Sequence, residues 1–304
     1  MHTVLLRRVI RLLVVATGVS LITFAILQMS GDPVALMMPE APEADRARLR
    51  DSLGFNDPVP VQFARFVGNA LRGEFGHSFY HRAPAVDLVL ERMPTTLILT
   101  VAAMALAMLV SIPAGIYSAI RRYSVTDHIV TVLVFLGQSM PVFWTGIMLM
   151  LLFAVSWRLL PVSGWGGWQF AILPAVTLGI FQAPLLLRIV RSSMLEVLSL
   201  DYVRTARSKG VAEWRVICRH ALTNAALPLI TVTGIQFGLL LGGAVITETV
   251  FAIPGVGRLI VRAIQQLDFP VVQAGVFLLA MIVVMVNFAV DLLYVYLNPQ
   301  IRFR

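Results

Sequence analysis

The sequence holds 304 residues, 58% of them hydrophobic and 13% charged, with a mean hydropathy of +0.84. A soluble globular domain carries about 45–50% apolar and about 25% charged residues, so this chain has too little polar surface to coat itself for water. Its net charge of +8 is almost all arginine at the ends of apolar runs, with Lys209 the single lysine, a pattern that suits lipid headgroups and topology better than nucleic acid.

The N-terminus sets Arg7, Arg8 and Arg11 beside the apolar run Leu12 to Leu27. That run is longer than a usual signal core, and no small-x-small cleavage site precedes Gly31-Asp32-Pro33, so it reads as an uncleaved first span. A bilayer core needs about 20 apolar residues per helix. Six segments qualify: Val9–Gln28, Pro94–Ile120, Ile129–Trp157, Ala171–Ile189, Leu227–Thr247 and Val271–Leu297. Lipid leaves backbone polar groups no partner but each other, and these runs are too long for barrel strands, so an all-α integral membrane protein of six transmembrane helices is expected.

Arginines near the span ends orient the bundle. One side holds Arg7, Arg8, Arg11, Arg121, Arg122, the stretch Arg188 to Arg219, and Arg302 with Arg304; short loops opposite carry only Arg158, Arg258 and Arg262. Both termini are therefore expected in the cytoplasm. Residues 1–28 form the tail and first span, 29–93 an outward-facing helical segment, and 94–304 a five-helix core with a cytoplasmic loop at 190–226. The outward segment carries seven arginines against nine acidic residues, and long translocated segments largely escape the charge rule. Amphipathic stretches such as Gln62–Leu71 suggest short helices within it.

Several chemistries are excluded. The centres of the spans lack Asp, Glu, Lys, Arg and His, which disfavours an ion-coupled carrier. Glu248 and Asp291 lie near span ends, where capping or snorkelling tolerates charge. No H-E-x-x-H or G-x-S-x-G pattern occurs, and Lys209 lacks the glycine frame of a phosphate loop. One cysteine, Cys218, permits no intrachain disulfide and no cysteine-built metal site, and reads as a packed small side chain. No catalytic residue, cofactor or metal is expected, and the energy for any active transport must come from another subunit.

The most informative soluble stretch is Asp201-Tyr202-Val203-Arg204-Thr205-Ala206-Arg207-Ser208-Lys209-Gly210-Val211, followed by a second helix-like stretch, Glu213–Leu222. Ser199 or Asp201 is suited to cap a short helix whose basic end complements its dipole. Gly210 then permits a left-handed turn. By composition alone this is either a stiff basic knob or a solvated loop obeying the positive-inside rule.

The stretch resembles the "EAA" coupling loop of ABC-importer permeases, whose pattern sets a glycine well before a Leu-Pro or Ile-Pro; here these are Gly210 and Leu227-Pro228. With Arg219-His220-Ala221-Leu222 and Asn224-Ala225 it is similar to the dipeptide/oligopeptide/nickel permease family in particular. Further matching residues are Gly31-Asp32-Pro33, Leu53-Gly54, Gly73-Glu74-Phe75-Gly76, Arg92-Met93-Pro94-Thr95-Thr96, Glu248 through Arg258, Asp268-Phe269-Pro270 and Asn298-Pro299-Gln300. Ser208 stands where the family often has alanine.

The resemblance implies a type I ABC-importer permease in a bacterial inner membrane. It implies a second, non-identical permease as heterodimer partner, two cytoplasmic ATPases and an extracytoplasmic substrate-binding protein, with a peptide as substrate. Coupling to the ATPase would rest on Asp201, Tyr202, Thr205, Ala206, Arg207, Lys209 and Gly210. Glutathione and nickel chelates remain open as substrates, and a non-transporting anchor or a channel as other classes of function. Gly234, Gly238 and Gly242 form a small-residue face that suits helix packing or a pore surface. Gln138, Ser139, Thr233 and Gln236 either line a pore or bond a neighbouring helix. The loop Phe251–Leu267 is either an interfacial helix or an outer gate.

Overall fold

The computed structural model describes residues 14–25, 34 and 40–297; the N-terminal arginines, Gly31-Asp32-Pro33 and the tail from Asn298 lie outside them. The described residues form helices in chain order. They are α1 (Val14–Ala25), α2 (Glu43–Leu53), α3 (Val59–Leu71), α4 (Ala85–Ile120), α5 (Val125–Ser139), α6 (Val142–Ser156), α7 (Trp168–Leu198), α8 (Asp201–Ser208), α9 (Glu213–Val250), α10 (Val256–Gln265) and α11 (Phe269–Leu297). Four of these, α4, α7, α9 and α11, are long and apolar enough to cross a membrane, and the pair α5 and α6 makes a fifth if it counts as one span. From the first expected span, only α1 lies within the described residues.

The run Ile129–Trp157 is not one straight helix: α5 and α6 meet at 103°. The cause sits at Met140-Pro141. Proline has no N–H to give the ladder and crowds the residue before it out of the helical region, and Met140 is extended at φ −101°, ψ 142°. The last turns of α6, Met150–Ser156, widen into a π-helix.

The chain divides into two compact units, one of the residues up to Thr95 with Gly255–Met285, the other of Thr96–Pro254 with the residues from Val286. In the larger unit α7 is the central helix, with Leu178, Leu186, Val190 and Met194 buried among Leu99, Met104 and Leu240. Small residues let its neighbours come close. A Cβ on Gly179 would stand 3.1 Å from the Ala103 carbonyl oxygen of α4, one on Gly115 2.7 Å from Val190, and one on Gly137 2.2 Å from Ile180. The Ser111 hydroxyl also donates across to the Ala183 carbonyl at 2.8 Å.

At the foot of α5, Ser124 caps the helix by accepting from the Asp127 N–H at 3.1 Å. Asp127 in turn accepts from Arg191 of α7 at 2.9 Å and from the Tyr123 N–H at 3.1 Å. Its side chain is 3% exposed and that of Arg191 32%. Removing the carboxylate strands a half-buried guanidinium and frees the loop before α5. Asp127→Ala is therefore expected to destabilise the bundle by about 1–3 kcal/mol, read as a lower thermal midpoint of the purified chain in detergent. An unchanged midpoint would show the pair to be dispensable.

In the smaller unit a row of rings joins α1, α3 and α11. Phe24 packs edge-on against Phe63 at 5.5 Å between centroids, Phe66 against Phe75 at 6.2 Å, and Phe75 against Phe277 at 5.2 Å. Each such pair adds about 0.5–1.5 kcal/mol beyond area burial. The buried carboxylate of Asp268 accepts from the Ser78 hydroxyl and, at 3.1 Å, from the Phe79 N–H, which fastens the turn after α3 to the start of α11.

Candidate functional site

The residues of interest lie on α8, an eight-residue helix between two long ones. Neither Ser199 nor Asp201 caps it. The Ser199 hydroxyl bonds back to the Glu196 carbonyl at 2.7 Å, closing α7, and the N-cap is Leu200, extended and without a side-chain bond. Asp201 instead occupies the first turn and Arg207 the last, the arrangement a helix dipole favours.

The sequence of α8 separates two faces at helical spacing. Val203 is fully buried, and Ala206, three residues on, packs beside Val211 and Ile217 against the core. Asp201, Tyr202, Arg204, Thr205, Arg207, Ser208, Lys209 and Gly210 are exposed. Burying Val203 contributes on the order of 1.5–3 kcal/mol and fixes which face looks outward.

Two polar clamps hold α8 against the start of α9. The Tyr202 hydroxyl donates to the His220 carbonyl at 3.2 Å and accepts from the Asn224 amide at 2.8 Å. Arg207 forks onto Glu213 at 2.7 and 3.2 Å. The hydrogen bonds that Arg207 donates to Glu213, reinforced by the carboxylate's charge, raise the guanidinium pKa above its ordinary value. Gly210 ends the helix in the left-handed region at φ 73°, with its N–H on the Arg207 carbonyl and the Val211 N–H on that of Ala206. A Cβ there would meet nothing within 4 Å, so the need for glycine is conformational rather than steric within this chain.

The expected second helix is not separate. Residues Val216–Ala221 form a π-helix that leads directly into Leu222–Val250. Cys218 on it is exposed rather than packed. The site offers an exposed surface of mixed charge with a basic excess. Among the described residues, no group of three or more His, Cys, Asp or Glu side chains could hold a metal.

The other singled-out residues are scattered. Gly234 lies against α11, where a Cβ would stand 2.7 Å from Val290. Gly242 is exposed with nothing within 4 Å, and Gly238 is half-buried. Gln236 donates to the buried Gln182 of α7 at 2.5 Å. Thr233 is half-buried, and its hydroxyl is buried without a partner among the described residues. Gln138 and Ser139 are exposed at the end of α5, the latter bonded to the Phe135 carbonyl.

Sequence reasoning missed Gln182, and it missed Asn224 and Glu213 as the clamps of α8. Glu248 is not a tolerated end charge but fully buried, and accepts from the Thr96 hydroxyl at 2.6 Å.

These features define a multi-span membrane subunit that presents a docked polar helix between its spans. Family models agree along nearly the whole length. The "Binding-protein-dependent transport system inner membrane component" matches residues 111–303, and the N-terminal part of that membrane component matches residues 1–100. The chain belongs to this family of inner-membrane transport permeases; it is not an enzyme.

It is 41% identical to the dipeptide transport system permease protein DppB of Escherichia coli, with 98% of each chain covered. It is 40% identical to the glutathione transport system permease protein GsiC of Salmonella paratyphi A, again over 98% of each. It is 39% identical to a probable peptide ABC transporter permease protein of Sinorhizobium fredii over the full length of both. Among solved structures, the inward-facing MetNI methionine ABC transporter shares the fold at a TM-score of 0.58 and 18% identity. That likeness covers 69% of this chain and 96% of that one. As a permease of an ABC importer, the chain works with ATPase and substrate-binding partners.

Proposed function

We propose that this chain forms half of the translocation pore of an ABC importer for di- or oligopeptides, paired with a second homologous permease and driven by two cytoplasmic ATPases. Full-length identity of 41% to a dipeptide permease supports the substrate class. The comparable identity to a glutathione permease favours one second reading, a glutathione importer, since glutathione is itself a short peptide.

The observation that carries the coupling role is α8. Its apolar side is buried at Val203, its ends are clamped by Tyr202 and Arg207, and its polar side is exposed. Asp201, Tyr202, Thr205, Arg207, Lys209 and Gly210 form the docking face for an ATPase, with Ala206 beneath them. Gly234 packs within the chain, whereas exposed Gly242 suits the second permease and Gly238 lies between them. Gln236 is held by the neighbouring helix at Gln182, and Thr233, Gln138 and Ser139 remain pore-lining candidates beside it.

Six spans with both termini in the cytoplasm complete the reading. Residues 1–28 form the tail and first span, 29–93 the extracytoplasmic segment and 94–304 the core. In a Cys218→Ser background, Arg72→Cys and Gly167→Cys should react with an impermeant thiol reagent in intact cells, and Ser208→Cys only after the membrane is opened. External labelling at position 208 reverses the topology.

The deciding experiment is uptake by proteoliposomes holding the complete transporter with its binding protein. Labelled Ala-Phe or glutathione should accumulate only with ATP inside the ATPase-accessible compartment and only when this chain is present. Complex assembly without uptake leaves a membrane anchor; flux without ATP makes a channel.

A further inference from the structure

The smaller unit contains a cavity of about 320 Å3 whose lining includes Tyr80, His81, Arg92, Arg262, Gln266 and Asp268. Its charge balance is unusual. Among the described residues of the lining Asp268 is the one carboxylate, and it already accepts from the Ser78 hydroxyl and the Phe79 N–H. Arg92 from α4 and Arg262 from α10 make no ion pair or side-chain hydrogen bond among the described residues. The Arg92 Nε is moreover buried without a hydrogen-bond partner among the described residues.

A guanidinium donor withheld from both water and protein is costly, and native structures rarely leave one so. Two arginines on one cavity present the planar forks that recognise a carboxylate in pairs of bonds. The volume is that of a small-ligand site, larger than a single acidic side chain needs.

We propose that this cavity binds a carboxylate, namely the free carboxyl group of the transported peptide as it leaves the binding protein. The inference rests on the peptide-importer reading and on the outward placement of residues 29–93. It goes beyond that reading by assigning the permease its own point of recognition. Arg262, exposed on α10, makes first contact; Arg92, half-buried, completes the pair as the carboxylate enters.

The test uses the complete permease–ATPase complex in nanodiscs, without the binding protein. Binding of Ala-Phe and of its C-terminal amide is followed by saturation-transfer NMR. The acid should bind, and the amide should bind at least about tenfold more weakly, the loss expected for charge-assisted hydrogen bonds. Arg262→Gln should weaken the acid by a similar factor and erase the preference, and Arg262→Lys should restore part of it. Arg92→Gln should act likewise, but the exposed Arg262 keeps the test valid if that variant misfolds.

Equal binding of acid and amide, no binding of either, or an unchanged preference in Arg262→Gln overturns the proposal. Ala-Phe uptake by the complete transporter separates the two levels. Uptake with any of those results sinks the carboxylate site alone. Absence of any peptide uptake in the parental system sinks the importer reading, and the site with it.

Discussion

Gly210→Val is expected to abolish transport while the protein still inserts and accumulates at parental levels. Gly210 sits at φ 73°, a region that a β-branched residue enters only under strain. The cost is about 1–3 kcal/mol, and it falls on the turn that aims α8 rather than on any span. The helix should fray from Lys209 backward, loosening the Arg207–Glu213 pair. Peptide uptake and substrate-stimulated ATP hydrolysis by the complete transporter should both fall by more than about tenfold.

Gly210→Asn separates two causes of that loss. Asparagine tolerates the left-handed region, and the space around position 210 is open in this chain. Near-parental transport by Asn with loss in Val assigns the glycine to the turn. Loss in both assigns it to close approach by the ATPase. Parental transport by Val would falsify the coupling role of the loop.

Gly234→Leu is the second large effect, and it acts on folding rather than on coupling. A Cβ at this position already comes within 2.7 Å of Val290, so a leucine must push α9 and α11 apart. Overpacking of this kind costs about 1–3 kcal/mol, and more where helices cannot shift. The purified chain should melt earlier and lose its single peak in size-exclusion chromatography. Val290→Ala in the same chain should restore part of the loss. Gly242→Leu is the contrast: it meets nothing within 4 Å, so the chain alone should stay stable. If Gly242→Leu also spares the assembled transporter, no partner helix lies against that glycine.

The spans were legible because a membrane imposes length and apolarity on them, and both are local properties. Pro94–Ile120 and Ala171–Ile189 fall inside α4 and α7, which run further because apolar residues beyond the spans, Ala85 and Val89 in α4 and Met194 and Val197 in α7, are buried on protein. The stretch Gln62–Leu71 falls inside α3 because amphipathic spacing is also local. The break at Met140-Pro141 was written in the proline, but a proline within an apolar run is compatible with either continuation or a turn; α7 and α9 continue through Pro174, Pro184 and Pro228. Its outcome depends on packing against α7.

Partnerships were the illegible part. Gln182 and Gln236 are 54 positions apart, Thr96 and Glu248 are 152 apart, and nothing local marks either pair. Glu248 lies close enough to a span end to look like a surface charge, and only the fold buries it. On α8 the outward face could be read from charge, whereas the clamps to Asn224 and Glu213 required the turn at Gly210 to be known first.

The clamping of α8 has a mechanical consequence. Elements joined in series deform mostly at the softest link, and neither face of α8 is soft. Val203 seats it in the core and Tyr202 ties it to the base of α9, so a push on its outer side cannot be absorbed by rocking. The compliance is left to Lys209–Ala212, where Gly210 and three neighbours carry the chain across without a helix. A displacement imposed at α8 would therefore reach α9 chiefly through the Tyr202 and Arg207 contacts that bridge the linker, and only the share they do not carry would be taken up in its four residues.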